Sequence, residues 1–107
     1  MVYVIDIDGT ICSKNVEYSK SEPHVHRIKQ INQLYEKGHT IIYMTARGMG
    51  RHKNNPLLAV HEFFSFTEQQ LKAWGAKYHQ LILGKPAADY YIDDKGIEAD
   101  EFFKHES

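Results

Sequence analysis

The order of apolar and polar positions along the chain predicts a parallel α/β domain. Residues 2–7 are a nearly continuous apolar run, which is typical of a strand buried on both faces of a sheet. Three shorter apolar runs predict further strands, at 40–44, 80–83 and 90–92. Helical patterns separate the runs, so we expect a mainly parallel sheet with helices on both faces and right-handed crossovers.

Turn and cap residues set the bounds of the predicted helices. Pro23 near the start and Gly38 beyond the end bound a helix whose apolar residues recur at helical spacing. Residues 57–75 look helical in two parts, because Thr67 and the glutamine three positions later resemble a capping box. Gly75 then ends the second part. In the acidic tail from residue 98, we expect the two phenylalanines to pack against the core.

Composition points to one small globular domain spanning residues 1–107. A chain of 107 residues with 42% hydrophobic content can bury one core of ordinary size. The net charge of -1 shows no basic excess, which argues against nucleic acid or an anionic membrane as a partner. The single cysteine, Cys12, rules out an intrachain disulfide. With no signal-like or membrane-spanning stretch, the expected location is the cytoplasm.

Polar groups follow each of the four predicted strands. In parallel sheets, ligands bind outside the carboxyl ends of the strands, so these groups are expected to converge. The groups are Asp6 with Asp8, Thr45, Lys85, and Asp93 with Asp94. Two carboxylates one residue apart repel each other and resist losing water, and a divalent cation is the usual remedy.

The order of these groups resembles the haloacid dehalogenase superfamily of phosphatases and phosphotransferases. The matching motifs are DxDGT after the first strand, Thr after the second, Lys-Pro after the third and a double Asp after the fourth, within residues 2–95. The stretch WGAKYHQLILGKPAADYYIDDK is also similar to small phosphatases encoded with bacterial capsule and surface-polysaccharide synthesis. The resemblance implies a three-layer α/β/α Rossmann-like fold without a cap domain.

The residues suggest phosphomonoester hydrolysis through a covalent intermediate. Asp6 is expected to be ionised at neutral pH, since an unperturbed aspartate has a pKa of about 4, and it can attack phosphorus to form an aspartyl-phosphate. Lys85 and Mg²⁺ would relieve the repulsion between this carboxylate and the phosphate. The resemblance implies that Asp8 protonates the leaving group and then activates water, and that Thr45 donates a hydrogen bond to the phosphoryl group.

The resemblance also assigns metal and substrate ligands. Mg²⁺ would be held by Asp6, by the main-chain carbonyl of Asp8, and by Asp93 and Asp94, with Asp94 as the direct ligand. We expect substrate contacts from Gly9, Thr10, Ala46 and Arg47. Gly9 lets the chain turn and expose N–H groups to the phosphate. Arg47 begins a basic stretch that continues through Arg51, His52 and Lys53.

The expected substrate is a small phosphomonoester, such as a sugar phosphate of surface-polysaccharide synthesis. The basic stretch favours one alternative, a nucleotide or polynucleotide end phosphatase, whereas the overall charge opposes it. A receiver-like phosphoacceptor domain is a second alternative, but its acceptor Asp would lie between the acidic pair and the Thr. Seven histidines without paired spacing do not indicate zinc. Without a cap, the site needs a lid from the substrate, from residues 11–22 and 48–56, or from a neighbouring subunit, and we expect a homo-oligomer.

Overall fold

The computed structural model describes residues 1–104 as a small parallel α/β domain. In chain order the elements are β1 (Val2–Ile5), a 3-10 helix (Tyr18–Lys20), α1 (Val25–Glu36), β2 (Thr40–Thr45), α2 (Pro56–Ala73), β3 (Gln80–Leu83) and α3 (Ala99–Phe103). The three strands are parallel and lie in the order β1-β2-β3. The predicted α/β class and the third strand, 80–83, are confirmed.

The two main helices lie on one face of the sheet. Both crossovers step in the same direction, from β1 to β2 and from β2 to β3, so right-handed connections place α1 and α2 on the same side. On that side Ile41 and Tyr43 are fully buried. On the other side Val2 is 65% exposed and Val4 is 61% exposed. Residues 1–104 therefore form two layers, and the second helical layer expected from the sequence is not formed by them.

The predicted fourth strand is wrong. Residues 90–92 have no strand structure, and Tyr90 and Ile92 are 83% and 94% exposed. An apolar run becomes a strand only where a neighbouring backbone and a covered face receive it, because strand preference mostly reflects packing. Here the segment pairs with no strand, and β1 is an edge strand.

The second helical region is one continuous helix and not two. The side chain of Asn55 accepts hydrogen bonds from the N–H groups of Leu57 and Leu58, and Pro56 occupies the first turn, so α2 begins with favourable signals. The predicted start at Thr67 is wrong, because Thr67 is fully buried inside α2. Gly75, with a φ of +74°, follows the helix end, as predicted.

One hydrophobic cluster joins the sheet to all three helices. It contains buried residues from every element of the packed face, including Ile5, Ile31, Leu71 and Leu83. Phe103 of α3 is buried in it, and Phe102 lies edge-on to Tyr3 with 6.1 Å between ring centres. The expectation that these phenylalanines pack against the core is confirmed. Within residues 1–104, no helix combines the length and the apolar character needed to span a bilayer.

Candidate active site

Three of the four strand-end groups meet at one edge of the sheet. Because the strands are parallel, Asp6 after β1, Thr45 at the end of β2 and Lys85 after β3 all lie at their carboxyl ends. The Lys85 N–H donates to the Thr45 carbonyl at 3.2 Å. The Lys85 ammonium lies 3.8 Å from Asp6 Oδ1. The expected convergence of these groups is present in the fold.

Asp6 is a partly desolvated carboxylate facing a cation. Its side chain is 34% exposed, and Lys85 contacts one oxygen while the Thr10 hydroxyl donates to the other at 3.4 Å. Burial raises the pKa of Asp6 above its ordinary value, and Lys85, the Ile7 N–H and Thr10 partly oppose this, while the charge of Asp8 adds to it. The Asp6 carboxylate is therefore partly desolvated but still accessible from solvent, as a nucleophile needs to be.

A tight turn follows the two carboxylates. Gly9 has a φ of +81°, a conformation that side chains disfavour, and a Cβ there would lie 2.6 Å from the Lys14 side chain. The Gly9 N–H donates to the Cys12 carbonyl at 2.9 Å, and the Thr10 N–H donates to the Ile7 carbonyl at 3.0 Å. The predicted turn is present, and both of these N–H groups are paired within it, so their contact with a phosphate stays a prediction.

Asp8 is held by Arg47 in a two-point ion pair. Arg47 Nε donates to Asp8 Oδ2 at 2.9 Å, and Nη2 donates to Asp8 Oδ1 at 3.0 Å. The Cys12 thiol also donates to Oδ1, at 3.5 Å. Burial raises the pKa of Cys12 to about 12, and the charge of Asp8 adds to this, so the thiol stays neutral and acts as a packing residue and a donor.

The basic stretch after β2 differs from its expected role. The Arg47 side chain is fully buried, so in this structure it faces Asp8 and not a substrate. Arg51 and His52 both contact the carboxylate of Glu62, at 2.6 and 2.7 Å, which holds both side chains against α2. Ala46 is buried only in part, and its carbonyl accepts from the Met49 N–H at 2.9 Å. The loop is thus a folded turn and not a free cationic arm.

Thr45 is almost wholly buried, at 1% exposure. Its hydroxyl oxygen accepts a hydrogen bond from the Arg47 N–H at 3.1 Å. A hydroxyl that accepts one bond still has a hydrogen to donate. The proposed bond from Thr45 to a phosphoryl group stays a prediction.

The second acidic pair does not join this cluster. The Asp93 carboxylate accepts from the N–H groups of Lys95 and Gly96, which lowers the pKa of Asp93. Asp94 forms an exposed ion pair with Lys95. The nearby Tyr91 ring does reach the site, since the Lys85 ammonium lies 4.3 Å from its centre.

The residues present fit a hard cation only in part. Asp6 and the Asp8 main-chain carbonyl are oxygen donors of the kind that Mg²⁺ prefers. Within residues 1–104, however, no three acidic, histidine or cysteine side chains come together to hold a metal ion. Asp93 and Asp94, the other expected metal ligands, do not come together with Asp6 and Asp8 in this structure.

Comparisons with known proteins support the fold. The chain is 25% identical to a protein from Vibrio cholerae described as an MCSG target, whose crystal structure superimposes with a TM-score of 0.87. The similarity covers 94% of this chain and 85% of the other. No family model and no curated protein matches this chain. The Vibrio cholerae description names no activity, so the comparison says nothing about function.

Two residues of the Asp8 environment are absent from the sequence-based prediction. Thr67 accepts from Arg47 Nη1 at 3.3 Å, and the Tyr18 ring centre lies 4.7 Å from the Arg47 guanidinium carbon. Thr67 continues a stripe of four-residue spacing from Ala59 through Phe63, which could have placed it on the buried face of α2. The sequence carries no comparable signal for Tyr18.

Proposed function

We propose that this protein is a Mg²⁺-dependent phosphomonoesterase that works through an aspartyl-phosphate on Asp6. The observation that carries the proposal is the position of Asp6. It is a partly desolvated carboxylate, still open to solvent on one side, with Lys85 at 3.8 Å and the Thr10 hydroxyl at 3.4 Å. A cation at this distance offsets the repulsion between the carboxylate and an approaching phosphate.

The reaction needs two steps from these side chains. In the first, an Asp6 oxygen bonds to phosphorus as the bond to the leaving-group oxygen breaks, and Asp8 gives that oxygen a proton. In the second, Asp8 takes a proton from water as the water oxygen bonds to phosphorus, which releases phosphate and restores Asp6. Lys85 stabilises the negative charge on the phosphoryl oxygens in both steps, and Thr45 donates a hydrogen bond to them.

Mg²⁺ is part of the proposal through its oxygen donors. Asp6 and the Asp8 main-chain carbonyl would hold it, with Asp94 as the acidic arm that the resemblance adds. When bound, the ion would neutralise charge on the phosphoryl oxygens.

The finer fold assignment belongs to the same proposal. The motif order supports a cap-less haloacid dehalogenase domain, and so does a parallel sheet with the motif residues at the carboxyl ends of its strands. We propose that these three strands form the Rossmann-like sheet of that domain. A sugar phosphate of surface-polysaccharide synthesis is the proposed substrate, because nothing in the site adds to the case for a nucleotide once Arg51 and His52 are paired with Glu62.

The test is a panel of phosphomonoesters assayed with Mg²⁺, with EDTA and with Asp6→Asn. Loss of the nucleophile is expected to lower kcat by about 1,000-fold or more. EDTA is expected to abolish turnover, and added Mg²⁺ to restore it. Asp89→Asn, at an exposed position outside the cluster, is the matched control and should behave as wild type. An Asp6→Asn protein that retains activity would refute the role of Asp6 as nucleophile. A preference for nucleotides or nucleic-acid ends over sugar phosphates would favour the alternative function, a nucleotide or polynucleotide end phosphatase.

A further inference from the structure

Arg47 is a buried cation whose only carboxylate partner within residues 1–104 is Asp8. Its side chain is 0% exposed, and both of its donors on that side reach the same carboxylate, one to each oxygen. A buried guanidinium is costly unless it is paired and its remaining donors are satisfied. Contact with substrate therefore does not explain its position, whereas contact with Asp8 does.

The guanidinium is itself held from several sides. Its Nη1 donates to the Thr67 hydroxyl at 3.3 Å, and its flat face lies over the Tyr18 ring. The Tyr18 hydroxyl accepts from the Gly48 N–H at 3.1 Å, which ties that ring to the same turn. Arg47 thus has one orientation, set by α2 and by the 3-10 helix that contains Tyr18.

We propose that Arg47 is a positioning residue for Asp8: it fixes the direction of the carboxyl group and stabilises the carboxylate that Asp8 becomes once its proton has passed to the leaving group. The proposal rests on the phosphatase function proposed above. Two parallel donors to two oxygens hold the plane of a carboxylate, which a single ammonium does not do. Proton transfer requires the carboxyl to stay within hydrogen-bond reach of the leaving oxygen, and a small displacement costs much of the rate.

The leaving group offers a way to test this role. A sugar alkoxide must be protonated as it departs, whereas p-nitrophenolate departs without help. The parameter kcat/KM reports only the steps up to release of the leaving group, so it isolates this proton transfer from the later attack of water. Loss of a substrate-binding arginine, or general damage to the site, would lower kcat/KM for both substrates by similar factors.

The experiment measures kcat/KM of Arg47→Lys and Arg47→Gln on a sugar phosphate and on p-nitrophenyl phosphate. We expect both variants to lose about 100-fold on the sugar phosphate and to change little on p-nitrophenyl phosphate. Arg51→Gln is the matched control, because Arg51 is exposed and pairs with Glu62, and it should change neither value. Equal losses on both substrates, or no loss on either, overturn the proposal.

A second variant covers the case in which Arg47 substitutions do not fold. Thr67→Val has nearly the same shape and removes only the acceptor of Arg47 Nη1, so it should give the same selective loss, smaller in size. Circular dichroism identifies variants that are folded and comparable. A folded Thr67→Val protein with equal losses on both substrates also contradicts the proposal. Wild-type protein without phosphatase activity would defeat the proposed function itself, which is a separate result.

Discussion

The chain carries two acidic pairs after apolar runs, and the fold treats them in opposite ways. Asp6 and Asp8 follow β1, which pairs along its whole length with β2, and both carboxylates are partly covered and bonded to cations. Asp93 and Asp94 follow residues 90–92, which form no strand, and both lie in the exposed segment before α3. Each pair follows a short apolar run, but only the first of these runs is a strand of the sheet.

The contrast shows that tertiary packing gives the two pairs of carboxylates different electrostatic surroundings. Burial raises the pKa of Asp6, while backbone N–H donors in a solvated turn lower the pKa of Asp93. At Asp6, burial and the nearby charge of Asp8 disfavour the ionised carboxylate, and a bound cation would favour it. At Asp93, two backbone N–H donors already favour the ionised carboxylate.

Removal of Lys85 should have the largest effect on the first pair. Lys85→Met is expected to lower kcat/KM for a phosphomonoester by about 100-fold, because the charge facing Asp6 and the phosphoryl oxygens is lost. Lys29→Met, on the exposed side of α1, is the matched control. Steady-state kinetics check this, and a fully active Lys85→Met protein would show that the 3.8 Å contact has no catalytic role.

Asp94→Asn tests whether the second pair joins the first when Mg²⁺ is present. If Asp94 becomes a ligand, as the proposed function requires, the Mg²⁺ concentration for half-maximal activity should rise about tenfold or more. Stability should change by no more than about 0.5 kcal/mol, because the side chain is exposed. Mg²⁺ titration of activity and thermal unfolding measure the two effects. An unchanged Mg²⁺ dependence would show that Asp94 does not join Asp6 as a ligand of the metal.

The smallest expected effect is on stability and comes from Asp6→Asn. A raised pKa means that folding favours the protonated carboxyl, so this contribution is present below the ordinary pKa of aspartate and is lost as pH rises through the raised value. At pH 7 in EDTA, Asp6→Asn should therefore have a higher Tm than wild type, and the difference should shrink as the pH falls. A variant less stable than wild type at pH 7 would show that the attraction of Lys85 outweighs burial.

The strand-end rule explains how much of the site the sequence could predict. Asp6, Thr45 and Lys85 converge because parallel strands bring their carboxyl ends to one edge, which needs only strand order and direction. Strand order and direction do not determine which way a side chain points just after a strand ends. Arg47 turns inward because Tyr18 and Thr67 receive it, and neither residue is near it in sequence.

The helix start predicted at Thr67 and the strand predicted at residues 90–92 are wrong because tertiary packing overrides local signals there. Thr67 resembles a cap in the sequence, yet a continuous buried stripe on α2 overrides that local signal. Residues 90–92 have strand-like composition, but no strand of residues 1–104 pairs with them. Local signals predicted the bounds of β3 and the ends of α1 well, because there the local and tertiary preferences agree.

The central claim is that Asp6 becomes phosphorylated, and mass spectrometry of acid-quenched protein tests it most directly. Asp8→Asn mixed with p-nitrophenyl phosphate and Mg²⁺ should accumulate the adduct, because phosphorylation needs no proton from Asp8 whereas hydrolysis needs it as a base. The account predicts one phosphoryl group on the peptide that contains Asp6, and none in Asp6→Asn. Phosphoester turnover with no adduct, or an adduct on another residue, would contradict it.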